Sequence, residues 1–232
     1  MSLKVNICGI EFNNPVIAAS GTFGFGKEFA DYIDINKLGG ISSKGLTLHK
    51  NLGNKGIRIY ETAAGIMNSI VLQNPGIEYF IKEELPFLET KDAVTIANLG
   101  GHSVDEYVKG AILLDKTSVP IIELNISCPN VKEGGMAFGT NPKKACEVIE
   151  KVRKATKKVL MVKLSPNVGD IKEFVKIAEN SGADCISLVN TFNALAIDVD
   201  NKKAVFENKT AGLSGPCIKP IALRMVYEAS NA

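Results

Sequence analysis

Six short apolar segments alternate with amphipathic segments along most of the chain, and this alternation is the feature that most restricts its fold. Several of the apolar segments lack a strict polar–apolar alternation, which is typical of strands covered on both faces. Repeated strand–helix units of this kind imply a parallel sheet. The predicted strands span residues 16–19, 40–43, 93–97, 121–126, 160–164 and 185–189.

The predicted helices between these strands have recognisable start signals. Asn74 and Asn141 each precede a proline, so each can cap a helix whose first residue is that proline. Ser103 and Glu106 have the spacing of a capping box. A helix that begins near residue 170 ends at Gly182, and a last helix runs from about 218 to 229.

Two architectures contain such units, an open doubly wound sheet and a closed (β/α)8 barrel. An open sheet concentrates its site at one switch point, whereas a barrel collects residues from nearly every strand at one mouth. Polar residues follow all six predicted strands, which favours the barrel. They lie at or just past the C-terminal ends of the strands and are Ser20 and Gly21, Ser43 and Lys44, Asn98, residues 125–128, Lys163, and Asn190 and Thr191.

The number of units is smaller than a barrel requires. Six βα units are visible where a closed barrel has eight, and the chain ends directly after a helix. We therefore predict an α/β fold, a TIM (β/α)8 barrel with about six units present. An N-terminal β-ribbon at 5–7 and 10–12 precedes them, and residues 1–232 form a single domain that is incomplete at its C-terminus.

Composition excludes several classes of function. A net charge of +2 gives no argument for nucleic acid or a membrane surface, and no apolar run approaches the ~20 residues of a membrane span. The sequence starts without a signal peptide, and its five cysteines form no C-x-x-C pair, so we expect reduced thiols in the cytoplasm. The two histidines lie outside any ligand pattern, and we predict no metal site.

Cys128 lies where a predicted strand ends, between the amides of Asn125 and Asn130. Pro129 stops the strand and favours an extended conformation of the thiol residue before it. A thiol held there could belong to a reaction site, or it could be one more small buried hydrophobe. The hexapeptide alone does not decide between these interpretations.

Lys44 and Lys163 are unusual because each belongs to an apolar predicted strand or its end. A buried lysine is unfavourable unless it faces a polar cavity or a counter-charge, although an outward stem could also snorkel to solvent. Together with Asn98 and Asn125, two such lysines would suit an anionic, electron-rich ring system such as a flavin.

Three loops add weaker signals. Gly21, Gly24 and Gly26 have the spacing G-x-x-G-x-G, which is not a dinucleotide fingerprint; the turn could admit a flat ligand or be a flexible loop. The loop 68–75 carries amides around an apolar patch, so it could cover a small heterocycle or simply lead into a helix. The glycines of 134–139 have the density of a mobile lid or of a linker.

At segments 43–45, 68–70, 72–76, 125–140 and 190–191, the sequence resembles the class 1 dihydroorotate dehydrogenases. The continuation at 131–135 resembles class 1B, whose catalytic subunit passes electrons to NAD, and the fumarate-linked class 1A is the closest alternative. The resemblance implies an FMN-containing barrel that oxidises dihydroorotate to orotate for pyrimidine (UMP) biosynthesis in the cytoplasm.

The resemblance also assigns residues. Cys128 matches the catalytic base, which takes a proton from C5 of dihydroorotate while a hydride leaves C6 for flavin N5. Positions matching FMN contacts are Ser20, Gly21, Lys44, Gly45, Asn98, Asn125, Lys163, Val189 and Gly215. Positions matching the substrate site are Lys44, Asn68, Ser69, Ile70, Val71, Leu72, Asn125, Asn190 and Thr191.

The resemblance further implies partners. It predicts a homodimer within a heterotetramer, in which a second subunit carries FAD and a 2Fe–2S cluster. Neither nucleic acid nor a membrane is expected as a partner.

Two departures from the family pattern bear on these assignments. Val71 stands where the family usually has glycine, and a β-branched residue resists φ > 0, so we expect a reshaped loop or crowding of orotate. The family's phosphate-binding glycine pairs follow the seventh and eighth strands, which implies a chain truncated at its C-terminus. The alternatives are a related FMN-dependent dihydropyrimidine oxidoreductase and an inactive chain unable to hold FMN.

Overall fold

The computed structural model describes residues 2–127 and 138–232. Its central element is a curled sheet of six parallel strands with helices between them, in the order β3-β4-β7-β8-β9-β10. All six predicted strands are present, with ends within two residues of those expected. They are β3 (Ile17–Ala18), β4 (Gly40–Ser42), β7 (Val94–Leu99), β8 (Ile121–Asn125), β9 (Val159–Lys163) and β10 (Cys185–Ser187). The sheet is a partial TIM barrel, as predicted.

The helices cover the outer face of this sheet. The long ones are α3 (Val104–Asp115), α4 (Pro142–Ala155), α5 (Ile171–Asn180) and α6 (Lys219–Ser230). Between β4 and β7 lie the short helices α1 (Ile77–Tyr79) and α2 (Leu85–Leu88), joined by a π-helical turn at Phe80–Glu84. Alternate residues of the strands, such as Ile122 and Leu124, face the helices and form the largest hydrophobic core with them.

The predicted caps are largely confirmed. Asn141 accepts a hydrogen bond from the backbone N–H of Lys144, as predicted. Asp170, which was not predicted as a cap, accepts from the backbone N–H of Lys172 at the expected start of helix α5. Ser103 accepts from Glu106 N as a capping box requires. The reciprocal bond differs, because the Glu106 carboxylate accepts from His102 N at 2.8 Å.

The prediction that Asn74 caps a helix was wrong. The helix α1 begins at Ile77, and Gly76 with φ 94° occupies the N-cap position. The Asn74 side chain is used elsewhere, since its Oδ1 accepts from Thr47 N at 3.1 Å and from Gly76 N at 2.8 Å. It joins the loop 68–75, the predicted substrate loop, to the segment that follows β4.

The predicted ribbon is present as β1 (Val5–Ile7) paired antiparallel with β2 (Ile10–Phe12). Phe12 is fully buried and packs in one cluster with Ile96, Ile121 and Met161 of the parallel strands. We call these four residues the apolar layer. Because the ribbon covers the amino-terminal ends of the strands, this end of the half-barrel is sealed.

A second sheet was not predicted. It has four antiparallel strands in the order β11-β14-β6-β5, and it continues from the loops that follow β4 and β10. A separate hairpin pairs β12 with β13. These strands are β5 (Ile59–Thr62), β6 (Gly65–Asn68), β11 (Phe192–Leu195), β12 (Ile197–Asp198), β13 (Lys203–Ala204) and β14 (Thr210–Ser214).

None of the helices in the described ranges is long and apolar enough to cross a membrane.

Candidate active site

Two residues beyond the apolar layer, the inner face of the half-barrel becomes polar. Asn98 of β7, Glu123 of β8 and Lys163 of β9 lie on this face, together with the hydroxyls of Ser42 and Ser187. We call these five residues the polar layer. Asn98 is fully buried and Glu123 is 5% exposed, so their polar atoms depend on partners within the protein.

Glu123 is the centre of this layer. Its Oε2 accepts hydrogen bonds from Ser42 Oγ at 2.5 Å and from Asn98 Nδ2 at 2.6 Å. Its Oε1 accepts from Ser187 Oγ at 2.6 Å. Glu123 was not among the predicted site residues. Glu123 is a charged residue inside an apolar predicted strand, which is the same pattern that indicated Lys163, so the sequence could have indicated Glu123 in the same way.

From Asn98 the hydrogen bonds continue toward the ends of the strands. Asn98 Oδ1 accepts from Asn125 Nδ2 at 3.1 Å, and Asn125 Oδ1 accepts from Ser127 Oγ at 2.7 Å. Ser127 Oγ in turn accepts from Asn190 Nδ2 at 2.8 Å, and Asn190 Oδ1 accepts from Thr191 N at 2.8 Å. The structure thus brings together four of the predicted site residues in one continuous network.

Lys44, Gly45 and Gly21 lie beside this network. A Cβ on Gly45 would lie 2.8 Å from Leu72 Cδ2 and 3.0 Å from Asn98 Oδ1, so only glycine fits without displacing them. A Cβ on Gly21 would lie 3.7 Å from Lys44 Nζ, which places that ammonium beside the glycine-rich turn. These predicted cofactor residues and the predicted substrate residue Leu72 therefore share one region.

Lys163 is half-buried at the end of β9 and is aligned in register with Asn125 and Ser187. Met161, two residues earlier, belongs to the apolar layer, so Lys163 also faces inward. Within residues 2–127 and 138–232, no carboxylate forms an ion pair with it. The Lys163 side chain therefore faces the inside of the half-barrel, and it does not snorkel outward to solvent.

The predicted substrate loop takes an unusual backbone conformation. Val71 has φ 56° and Leu72 has φ 53°, both in the left-handed region that favours glycine. Ser69 is buried and its hydroxyl accepts from Asn54 Nδ2 at 2.9 Å, while Ile70 O accepts from Asn54 N at 3.2 Å. Val71 thus takes a left-handed conformation that its β-branched side chain disfavours.

The loop separates the polar network from an outer cavity. Asn68, the first predicted substrate residue of the loop, donates to Gly212 O at 3.5 Å and so contacts the antiparallel sheet. Val71 lines a cavity of about 860 Å³ that also contains His49 and His102. Leu72, by contrast, faces Gly45 and the polar network.

For the remaining predicted cofactor residues, no hydrogen bond within residues 2–127 and 138–232 joins them to the network. Ser20 follows β3 and is half-buried. Val189 follows β10 and packs against the main core. A Cβ on Gly215 would lie 2.9 Å from Gly65 Cα, so this glycine borders the antiparallel sheet.

Cys128, the predicted base, lies outside the described residues, as do residues 129–137 with the predicted lid glycines at 134 and 135. The residue before it, Ser127, is buried within the network. No cluster of three or more His, Cys, Asp or Glu side chains in the described part of the chain could hold a metal ion.

Fold and site together define a partial (β/α)-barrel with a buried amide network and an inward lysine, Lys163, at the carboxyl ends of its strands. The family model described as dihydroorotate dehydrogenase matches residues 2–232. The chain belongs to the dihydroorotate dehydrogenase family.

Three curated relatives carry the name dihydroorotate dehydrogenase B (NAD(+)), catalytic subunit. The protein from Petrotoga mobilis is 63% identical over 229 residues, which cover 99% of this chain and 76% of the relative. The protein from Thermoanaerobacter pseudethanolicus is 53% identical, covering 100% of this chain and 77% of the relative. The protein from Bacteroides thetaiotaomicron is 50% identical, with 99% and 76% covered. The chain spans about three quarters of their length, and the names agree with the NAD-linked class.

Proposed function

We propose that this chain oxidises dihydroorotate to orotate in pyrimidine biosynthesis, as the catalytic subunit of an NAD-linked dihydroorotate dehydrogenase. The observation that carries the proposal is the network of Asn98, Asn125, Ser127 and Asn190 at the strand ends, in a chain 63% identical to a relative of that name. Hydride would pass to FMN, and electrons would pass on to NAD through a partner subunit.

The residues at the strand ends fit FMN by their chemistry. A Cβ on Gly45 would collide with Leu72 and Asn98, and Gly21 has φ 81°, so both positions favour glycine and keep the strand ends open to a flat group. Lys44 and Lys163 provide positive charge for an anionic ring. Asn98 and Asn125 add amide groups. When bound, FMN supplies the hydride acceptor for the oxidation.

The chain's own residues would bind the substrate and move its proton. Asn125, Asn190 and the loop 68–72 would orient the dihydroorotate ring. Cys128, which directly follows the network, would accept the proton from C5. A free thiol has a pKa near ~8.5, so its thiolate form needs support from the site or a mildly alkaline pH.

The name "catalytic subunit" of the relatives supports a multi-subunit complex. We propose a homodimer within a heterotetramer, with FAD and a 2Fe–2S cluster on the partner subunit only. We also propose that residues 1–232 form one barrel domain in the cytoplasm. The large core shared by the parallel strands and helices α3 to α6 supports the single domain.

Replacement of the thiol tests the proposed base. In an FMN-reconstituted chain, we expect Cys128→Ala to slow flavin reduction by dihydroorotate by about 10²–10⁴-fold, since a positioned base contributes that much. The FMN absorbance should persist. Cys146→Ala, a substitution on helix α4, is the matched control and should leave the rate unchanged. Equal rates for Cys128→Ala and the unmodified chain would refute the assignment.

The left-handed Val71 favours one alternative substrate. A valine at φ 56° places a branched side chain in a loop where the family usually has glycine, and this could suit a different dihydropyrimidine ring. Titration with dihydrouracil beside dihydroorotate separates the two. Reduction of the flavin by dihydrouracil alone would support the related dihydropyrimidine oxidoreductase.

A further inference from the structure

We propose that Glu123 is a positioning residue that decides which hydrogen-bonding groups the amides of the site present to a ligand. It lies in the middle of β8, and its carboxylate ends the amide network. The proposal concerns the direction of that network, by which we mean which group donates and which group accepts in each of its hydrogen bonds. It rests on the proposed function only for the identity of the ligand.

The direction is fixed at the acceptor end by Glu123. An ionised carboxylate accepts hydrogen bonds and cannot donate them, so the Asn98 amide must turn its NH2 group toward it. The Asn98 Oδ1 then faces the other way and accepts from Asn125 Nδ2. Since amide oxygen and nitrogen have nearly the same shape, the carboxylate is what distinguishes these two orientations.

The direction is fixed at the other end by backbone donors. Thr191 N donates to Asn190 Oδ1 at 2.8 Å, and Ser127 N donates to Asn125 Oδ1 at 3.3 Å. A backbone N–H cannot accept, so these bonds cannot reverse. Every member between the two ends therefore donates toward Glu123, and no amide in the series can turn over without leaving a donor opposite a donor.

This direction decides which hydrogen-bonding groups of Asn125 remain available to a ligand. The Asn125 Oδ1 already accepts from both Ser127 Oγ and Ser127 N, which uses its two lone pairs. Its Nδ2 gives one N–H to Asn98 and keeps a second. Among the described residues, Asn125 can therefore offer a ligand only a donor. The site should select planar ligands that place a carbonyl or carboxylate oxygen at this point.

The direction can be measured in the chain without any ligand. Hydrogen-bond scalar couplings in the deuterated, ¹⁵N,¹³C-labelled chain connect a donor nitrogen to the acceptor carbon. We expect couplings from Asn98 Nδ2 to Glu123 Cδ and from Asn125 Nδ2 to Asn98 Cγ. A coupling from Asn98 Nδ2 to Asn125 Cγ would show the opposite direction and overturn the proposal.

A variant pair tests whether Glu123 is the cause. Glu123→Gln keeps the size of the side chain, but its amide can donate as well as accept, so the Asn98 amide should alternate between two orientations. We therefore expect the side-chain amide protons of Asn98 to exchange with solvent at least about 10-fold faster. This factor corresponds to an interaction weakened by about 1.4 kcal/mol. Ser187→Ala is the matched control, because Ser187 contacts the same carboxylate at Oε1 outside the series. Unchanged exchange in a folded Glu123→Gln chain would overturn the proposal, as would equal acceleration in both variants.

A binding measurement separates this proposal from the proposed function. In the FMN-loaded chain, Glu123→Gln should raise the Kd of orotate by about 10-fold, as expected for one misaligned hydrogen bond. Glu147→Gln, the same change at an exposed position of helix α4, should leave the Kd within about 2-fold. If orotate does not bind even the unmodified chain, the proposed function is wrong, and the couplings still decide the role of Glu123. Should Glu123→Gln fail to fold, the couplings of the unmodified chain remain decisive.

Discussion

The two ends of the half-barrel differ in chemistry although the same strands build both. At the amino-terminal end, Ile96 of β7 and Ile121 of β8 pack under the ribbon. Two residues later, Asn98 and Glu123 carry the hydrogen-bond network. Because side chains alternate along a strand, the register that pairs Ile96 with Ile121 also pairs Asn98 with Glu123. The site is therefore a continuation of the core.

The two layers also differ in what stabilises them. The apolar layer depends on close packing, with Phe12 and Ile121 fully buried. The polar layer depends on the pairing of each buried donor with an acceptor. In the described residues, every buried side-chain nitrogen and oxygen has a hydrogen-bond partner. Substitutions that disturb the packing should therefore lower the free energy of unfolding. Substitutions that leave a buried donor or acceptor unpaired should disturb the orientation of the amides.

The largest expected effect lies in the apolar layer. Phe12→Ala removes a fully buried ring, and we expect the free energy of unfolding to fall by about 3–5 kcal/mol. Urea denaturation followed by circular dichroism measures this. Tyr32→Ala is the control, since its side chain is 84% exposed. A loss for Phe12→Ala no larger than for the control would mean that the ribbon does not seal the barrel.

An intermediate effect is expected at the substrate loop. Val71→Gly relieves a left-handed backbone at φ 56°, so we expect stability to rise by about 1 kcal/mol and orotate to bind more tightly. Leu72→Gly is the matched comparison. Its backbone is also left-handed, but it loses the side-chain contacts near Gly45 and Gly100 and should not be stabilised.

Thermal denaturation and orotate titration of both loop variants test this. If Val71→Gly is less stable and binds orotate no better, the left-handed backbone carries no strain, and the concern about crowding at this loop is removed.

The smallest effect concerns Cys185, which begins β10 beside the apolar layer. Burial, and then the neighbouring Cys8 thiol, raises the pKa of Cys185 from 9.0 to about 12, with further contributions from the charges of Asp184 and Glu123. The folded state therefore resists ionisation of this thiol more than the unfolded state does. Its stabilising contribution is complete below pH 9.0 and is lost as the pH rises toward about 12.

We therefore expect the Tm of the unmodified chain to fall between pH 8 and pH 10.5, and Cys185→Ala to show a smaller fall. Cys217→Ala, which changes a half-buried thiol on another element, should keep the slope of the unmodified chain. Identical slopes for Cys185→Ala and the unmodified chain would contradict the raised pKa.

Much of this architecture could be predicted from the sequence, for physical reasons. The parallel strands are covered on both faces, so each appears in the sequence as a run of apolar residues. Helix caps such as Asn141 and Asp170 bond to residues near them in the chain, so the helix starts also appear in the sequence. The strand β14 left none. It contains Gly212, and it forms through pairing with β6 and β11, which are distant along the chain.

The site was predictable in part. The amides Asn98, Asn125 and Asn190 stood at strand ends and were identified, whereas Glu123 lies in mid-strand and was counted with its apolar neighbours. The role of Asn74 could not be foreseen, because its amide bonds to Thr47 across the fold. Local patterns reveal what a residue does to its own segment, and long-range pairing requires the structure.

An anaerobic titration of the FMN-reconstituted chain with dihydroorotate, followed by flavin absorbance near ~450 nm, tests the proposed oxidation at the strand ends. We expect the absorbance to be lost in proportion to the dihydroorotate added, because the proposed site binds FMN and substrate together. Failure to retain FMN, or retained FMN whose absorbance dihydroorotate does not change, would contradict the proposed function.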